Sequence, residues 1–172
     1  MALHLLAVLV MVAHVALSGT GARPGVVPLC GEIVMVIAML DMVLGAVVLS
    51  PVAWLAVTVI TAVAIAAVQG PRSHARGADI TRARFAPPWV HGAFALILTG
   101  LVQLVTAPHQ VATTGTHHPA AVELAPFVLW GLVAHATVSA VEVARSRGMV
   151  ERMRHLLAGT ATALMALGLL VG

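Results

Sequence analysis

Four runs of this chain open with an ionisable residue and continue with side chains at helical spacing: Glu32 with Met35, Met39 and Met42; His155 with Ala158, Thr162 and Met165; His91 with Phe94, Leu98 and Leu101; His4 with Ala7, Met11 and His14. Offsets of 0, 3, 7 and 10 cover roughly 80° of a helix at about 3.6 residues per turn, so each run forms one stripe. Carboxylate, imidazole and thioether together make a soft-metal ligand set. In that reading Glu32, His91 and His155 are first ligands at a membrane surface, and Met35, Met39, Met42 and Met165 are a thioether path suited to Cu(I). Methionine also fills gaps between packed helices, so the same stripes read as packing without any ligand.

A second set falls deeper in the apolar runs: His14, Asp41 and His135, the last sharing a helix face with Ser139 and Glu142. Titratable groups in hydrocarbon cost several kcal/mol unless partnered, so each of these needs a neighbour. Asp41 comes nine residues after Glu32, on the opposite side of its helix from the methionines. Against His14 or His135 it would relay protons, bind an ion, or simply make an interhelical hydrogen bond. His14 and His135 are also the deep pair that could hold a haem, although only 3% of the chain is aromatic. Between the fourth and fifth apolar runs, His109, His117 and His118 with Glu123 could capture a divalent ion.

Other chemistry finds little footing. The single cysteine, Cys30, excludes an internal disulfide and a cysteine-based cluster. Phosphate loop, nucleophile elbow, metalloprotease His-Glu pair and dinucleotide fingerprint are all missing.

The elements that must position these residues follow from composition. Of 172 residues, 60% are apolar and 9% charged, with mean hydropathy +1.04. A soluble domain of this size presents roughly a quarter charged residues to water, so lipid must cover the exterior here. The net charge of +3 then points to lipid headgroups rather than nucleic acid as the partner, because every arginine falls in a loop or at the end of an apolar run.

Six apolar runs stand out, near residues 3–18, 33–50, 52–68, 89–106, 124–144 and 155–171. Crossing the hydrocarbon core takes about 20 helical residues, so these predict an all-α bundle of six transmembrane helices in one integral domain. The second and third runs meet at Ser50-Pro51. Pro51 lacks a backbone donor and disfavours helix at Ser50, which predicts a hairpin.

The arginines test the span count. Arg23 falls in the first loop, Arg72, Arg76, Arg82 and Arg84 in the third, and Arg145, Arg147, Arg152 and Arg154 in the fifth. All nine therefore share one face, which the positive-inside rule makes cytoplasmic, with both termini outside a bacterial cell membrane. A cleaved leader ending at Gly19-Thr20-Gly21-Ala22 is the rival for the first run, but no basic residue precedes Leu3. Trp54 and Trp89 should sit at headgroup level, with Trp130 deeper and packed. Small residues four apart, Thr58, Ala62 and Ala66, and Gly159 with Ala163, would allow close helix approach.

On Glu32 with Met35, Met39 and Met42, on His155 with Met165, and on the loop and span rhythm over nearly the whole chain, the protein resembles a family of small actinobacterial multi-pass proteins known as a domain of unknown function. In that family helices start with His and carry Met at these offsets. Here Glu32 stands for a His, and Phe94, Leu98, Leu101, Ala158 and Thr162 stand for Met. The resemblance implies architecture and brings no activity with it. Two readings of function remain: handling of a soft metal ion such as copper, or a structural or accessory subunit whose polar residues serve packing and whose arginine loops dock a membrane partner, a second copy or anionic lipid.

Overall fold

Runs rich in Ala, Val, Leu and Met close every backbone hydrogen bond internally as helix, which is the form a lipid environment demands. The computed structural model describes residues 2–19, 26–44, 48–75, 88–110, 119–146 and 148–171. It is all-α, with α1 (Ala2–Gly19), α2 (Val26–Leu44), α3 (Pro51–Ala75), α4 (Pro88–Gln110), α5 (Pro119–Arg145) and α6 (Met149–Val171). Among the described residues, four segments are long and apolar enough to cross a membrane: Pro51–Pro71, Trp89–Thr106, Leu124–Arg145 and Met149–Val171. Ala2–Leu17 is a shorter apolar helix. The chain is a membrane protein by this measure.

The first and fourth expected runs match their helices closely, and the third, fifth and sixth lie within longer helices, α3 continuing to Ala75, α5 starting at Pro119 and α6 at Met149. The second differs, since α2 begins at Val26 rather than near residue 33 and ends at Leu44 rather than near 50. Val26, Val27 and Leu29 extend the apolar stretch upstream, and Pro28 lies in the first turn, where a missing donor does no harm. Glu32 therefore lies in the second turn of α2. At the other end the hairpin break is where proline predicts it: α3 starts at Pro51, and the Ser50 hydroxyl accepts from the Ala53 amide at 3.2 Å as an N-cap.

Helices consecutive in sequence run antiparallel, as do α1 and α6, whereas α2 and α4 pack in parallel, Gly31 by Leu96 and Ala38 by Gln103. Late α1 meets early α2 and early α6 through His14, Glu32 and Arg154. Late α2 meets early α3 through Asp41 and Trp54, and Gly168 near the end of α6 faces His4 near the start of α1. One end of the bundle thus carries His14, Glu32, Arg145, Arg152 and Arg154, and the other carries His4, Asp41 and Trp54. Expectations resting on Arg23, Arg76, Arg82, Arg84, Arg147, His117 and His118, and on the side chains of Arg72, His109 and Glu123, lie outside the described residues.

Packing closes a ring in the order α1, α2, α4, α5, α6 and back to α1, with α3 outside it against α4 and α2. The tightest approach joins α3 to α4. A methyl group at Gly100 would overlap the Thr58 hydroxyl and come within 3.0 Å of the Leu55 Cα. Thr58 and Ala62 of the expected small-residue stripe are buried. Gly159 in α6 similarly faces Ser139 in α5, whereas Ala163 points outward.

One tryptophan departs from expectation. Trp130 is 73% exposed, one turn from Phe127 at 74%; it lies on the outward side of α5 because the inward side is taken by Val128, Leu132 and His135. Trp54, at the end of the bundle, is buried with its indole held by Asp41.

Candidate functional site

The inner surface of the ring collects the methionines. Met35, Met39 and Met165 are buried, Met42 is half-buried, and Met11 of α1 joins them. Each lies on the core-facing stripe of its helix, so helical periodicity alone delivers them to one interior. The Met42 sulfur in addition lies 3.6 Å from the Thr106 hydroxyl oxygen.

Where the stripes converge, a cavity of about 20 Å³ lies between five helices, with Met11 from α1, Met35 from α2, Leu98 from α4, His135 from α5 and Met165 from α6 on its wall. Three of its side chains end in thioethers and one in imidazole. His135 is 5% exposed, and its Nδ1 lies 3.1 Å from the Thr162 hydroxyl. That hydroxyl donates to the Ala158 carbonyl at 2.9 Å, so Thr162 anchors the ring through Nδ1 and leaves Nε2 as the ring nitrogen away from that contact.

Below the cavity, toward the arginine-bearing end, a buried polar line follows one face of α5: His135, Ser139, Glu142 and Ser146 are all buried. The His91 ring lies 6.4 Å from that of His135, centroid to centroid, in an edge-on arrangement, and Phe94 covers the same imidazole at 6.1 Å. His155 on α6 lies within electrostatic reach of Glu142, Glu151, His91 and Arg154. Glu142 Oε1 and His91 Nε2 are buried with no hydrogen-bond partner among the described residues. Imidazoles on α6, α4 and α5 therefore mark successive depths from the bundle end to the cavity.

The expected grouping of Glu32 with His91 and His155 is replaced by a different one. Glu32 Oε1 lies 3.5 Å from His14 Nε2 and 3.7 Å from Arg154 Nη2, and His14 Nδ1 lies 3.0 Å from the Arg154 carbonyl. The carboxylates near His155 are Glu142 and Glu151. Ion pairing decides this, because an arginine at the helix entrance offers Glu32 a full positive charge where a neutral imidazole offers a dipole.

Asp41 likewise meets neither His14 nor His135. Its carboxylate accepts from Trp54 Nε1 at 2.6 Å and from the Val48 amide at 2.9 Å, at the end of the bundle away from both histidines. Proximity explains the outcome: one donor lies in the hairpin link and the other in the first turn of α3, and they offer the carboxylate the hydrogen bonds it needs in an apolar setting. His14 and His135, the haem pair, each have other partners, Glu32 with Arg154 and Thr162 respectively.

Gln103 and Thr99, both buried, escaped the sequence reading. Gln103 donates through Nε2 to the Ala38 carbonyl across the α2 and α4 contact. Thr58, Thr99 and Thr106 turn their hydroxyls back onto carbonyls of their own helices, which satisfies them locally. Met11 and Thr162 carried the only available signal, as members of stripes that open with histidine. Among the described residues, no three His, Cys, Asp or Glu side chains lie close enough together to hold a metal ion; at the cavity, thioethers from three helices meet one imidazole. Comparison with known proteins found no family model, no curated protein and no solved structure that matches the chain.

Proposed function

We propose that this bundle handles a soft metal ion, copper before others, within the cytoplasmic membrane of a bacterium, with its arginine-bearing end in the cytoplasm and both termini outside. The observation that carries the reading is the arrival of Met35, Met39 and Met165 inside one helical ring, lined up with His91 and His155 toward the arginine-bearing end. Thioethers prefer monovalent copper and give little to hard cations, which is the selectivity a deep methionine path would supply. Met42, half-buried near the far end of α2, extends the same path. Glu32 serves the charge pairing of the bundle end.

Purified protein in detergent should take up Ag(I), a redox-stable substitute for Cu(I), in a fixed ratio to the chain, and should ignore Mg(II). No saturable uptake by the wild-type protein would remove the metal reading. It would leave the accessory-subunit reading, which draws support from the outward aromatic pair Phe127 and Trp130 as a surface for a partner helix. A Soret band after haem-replete expression would favour the cytochrome reading instead. Orientation is tested separately: a reporter active only outside the cytoplasm should be active when fused after Gly172.

A further inference from the structure

We propose that the metal rests in the cavity between α1, α2, α4, α5 and α6, as a monovalent d10 ion bound by the thioethers of Met11, Met35 and Met165 and by Nε2 of His135. The assignment rests on the metal reading above and adds to it a location, two further ligands and a charge selection.

Geometry comes first. The four side chains project from four different helices onto one cavity, so their approach is fixed by the ring rather than by a loop. About 20 Å³ is near what one water-sized particle needs, which excludes any organic cofactor and suits a bare ion. Methionine side chains have three rotatable bonds and can close the remaining distance to the ion. His135 is held by Thr162 through Nδ1, the outer-shell arrangement that fixes the tautomer and aim of a metal-binding imidazole.

Charge comes second. All four ligands are neutral, so the site adds no negative charge of its own. Moving an ion into a low-dielectric interior costs free energy that rises with the square of its charge, and a divalent ion suffers far more than a monovalent one. The nearest counter-charge on the same helix face is Glu142, seven residues along α5 from His135 and so about 10 Å away at 1.5 Å rise per residue. Glu142 is 7% exposed, with its Oε1 buried and lacking a hydrogen-bond partner among the described residues. One such carboxylate balances a single positive charge. Softness and charge therefore select the same ions, Cu(I) and Ag(I), over Zn(II) or Mg(II).

The test uses full-length protein in detergent micelles, titrated with Ag(I) and, under reducing conditions, with Cu(I) against a chromophoric chelator. Met11→Leu and Met165→Leu keep core volume and should each weaken binding by at least about tenfold, the lower end of what losing even an outer-shell partner does. Leu96→Ile, buried in the same core but off the cavity wall, should bind like wild type and controls for packing. X-ray absorption of the Cu(I) form should show sulfur together with one nitrogen neighbour, and His135→Leu should remove the nitrogen. Binding that is unchanged in both Met11→Leu and Met165→Leu, or a copper spectrum without sulfur, overturns this site while leaving metal handling intact. A wild-type protein that binds neither ion overturns both.

Discussion

The indole Nε1 of Trp54 donates to Asp41 Oδ2 at 2.6 Å, across the break between α2 and α3. Asp41 also accepts from the Val48 amide at 2.9 Å, so one carboxylate ties the end of α2, the link and the first turn of α3. Its job is to close a hairpin. Asp41→Ala should destabilise the bundle by about 1–3 kcal/mol, because it strands a buried indole donor as well as removing a charge-assisted bond. Trp54→Phe in the Asp41→Ala background should add less than it does alone, with a coupling of about 0.5–3 kcal/mol. Thermal unfolding of the three variants in detergent measures this, and strictly additive losses would show that the pair is not coupled.

Gly100 predicts a second effect, on packing alone. A side chain there meets the Leu55 Cα at 3.0 Å, and backbone cannot rotate away as a flexible side chain can. Gly100→Ala should therefore lower stability by about 1–3 kcal/mol, the usual range for overpacking a close contact. Adding Thr58→Ala relieves the overlap with the hydroxyl but not with the main chain, so the double variant should recover only part of the loss. Full recovery would place the conflict in Thr58 alone.

These two contacts show what the sequence could and could not reveal. Apolar runs and the Ser50-Pro51 break carry their own signal, since helix length against membrane thickness and the chemistry of proline are local. The helices consequently fall where the runs predict. Partner choice is not local. Asp41 was expected to reach a histidine and found Trp54, and Glu32 found Arg154 and His14, because which faces meet depends on how six helices pack. The methionine stripes sit between these cases. Periodicity places Met35, Met39 and Met165 on inward faces, but that Met11 and His135 share a cavity with Met35 and Met165 follows only from the closed ring.

The Glu32 pairing separates charge anchoring from metal binding. Its partners are unequally shielded: the Arg154 side chain is 41% exposed and that of Glu32 only 16%, so the ion pair lies at the bundle surface, where such pairs contribute about 1 kcal/mol or less. Glu32→Gln should then lower stability slightly and leave Ag(I) affinity as in wild type, since Glu32 is not on the cavity wall. Parallel titration and unfolding of that variant decides the matter. A large loss of affinity with intact folding would return Glu32 to the ligand set.

Trp130 offers a test of which surface meets lipid. It is 73% exposed on α5 beside Phe127, whereas Trp54 is 5% exposed and engaged by Asp41. A bromine-bearing acyl chain quenches only indoles it can touch, so in bilayers of brominated lipid Trp130 should account for most of the quenched emission. Trp130→Phe should remove that component and leave a residual signal from Trp54 and Trp89 that resists quenching. The substitution itself should alter stability by no more than about 0.5 kcal/mol, as for other exposed positions. If the quenching persists in Trp130→Phe, or if Trp54 proves as accessible to the bromines, then the outward face of α5 is covered by protein rather than lipid.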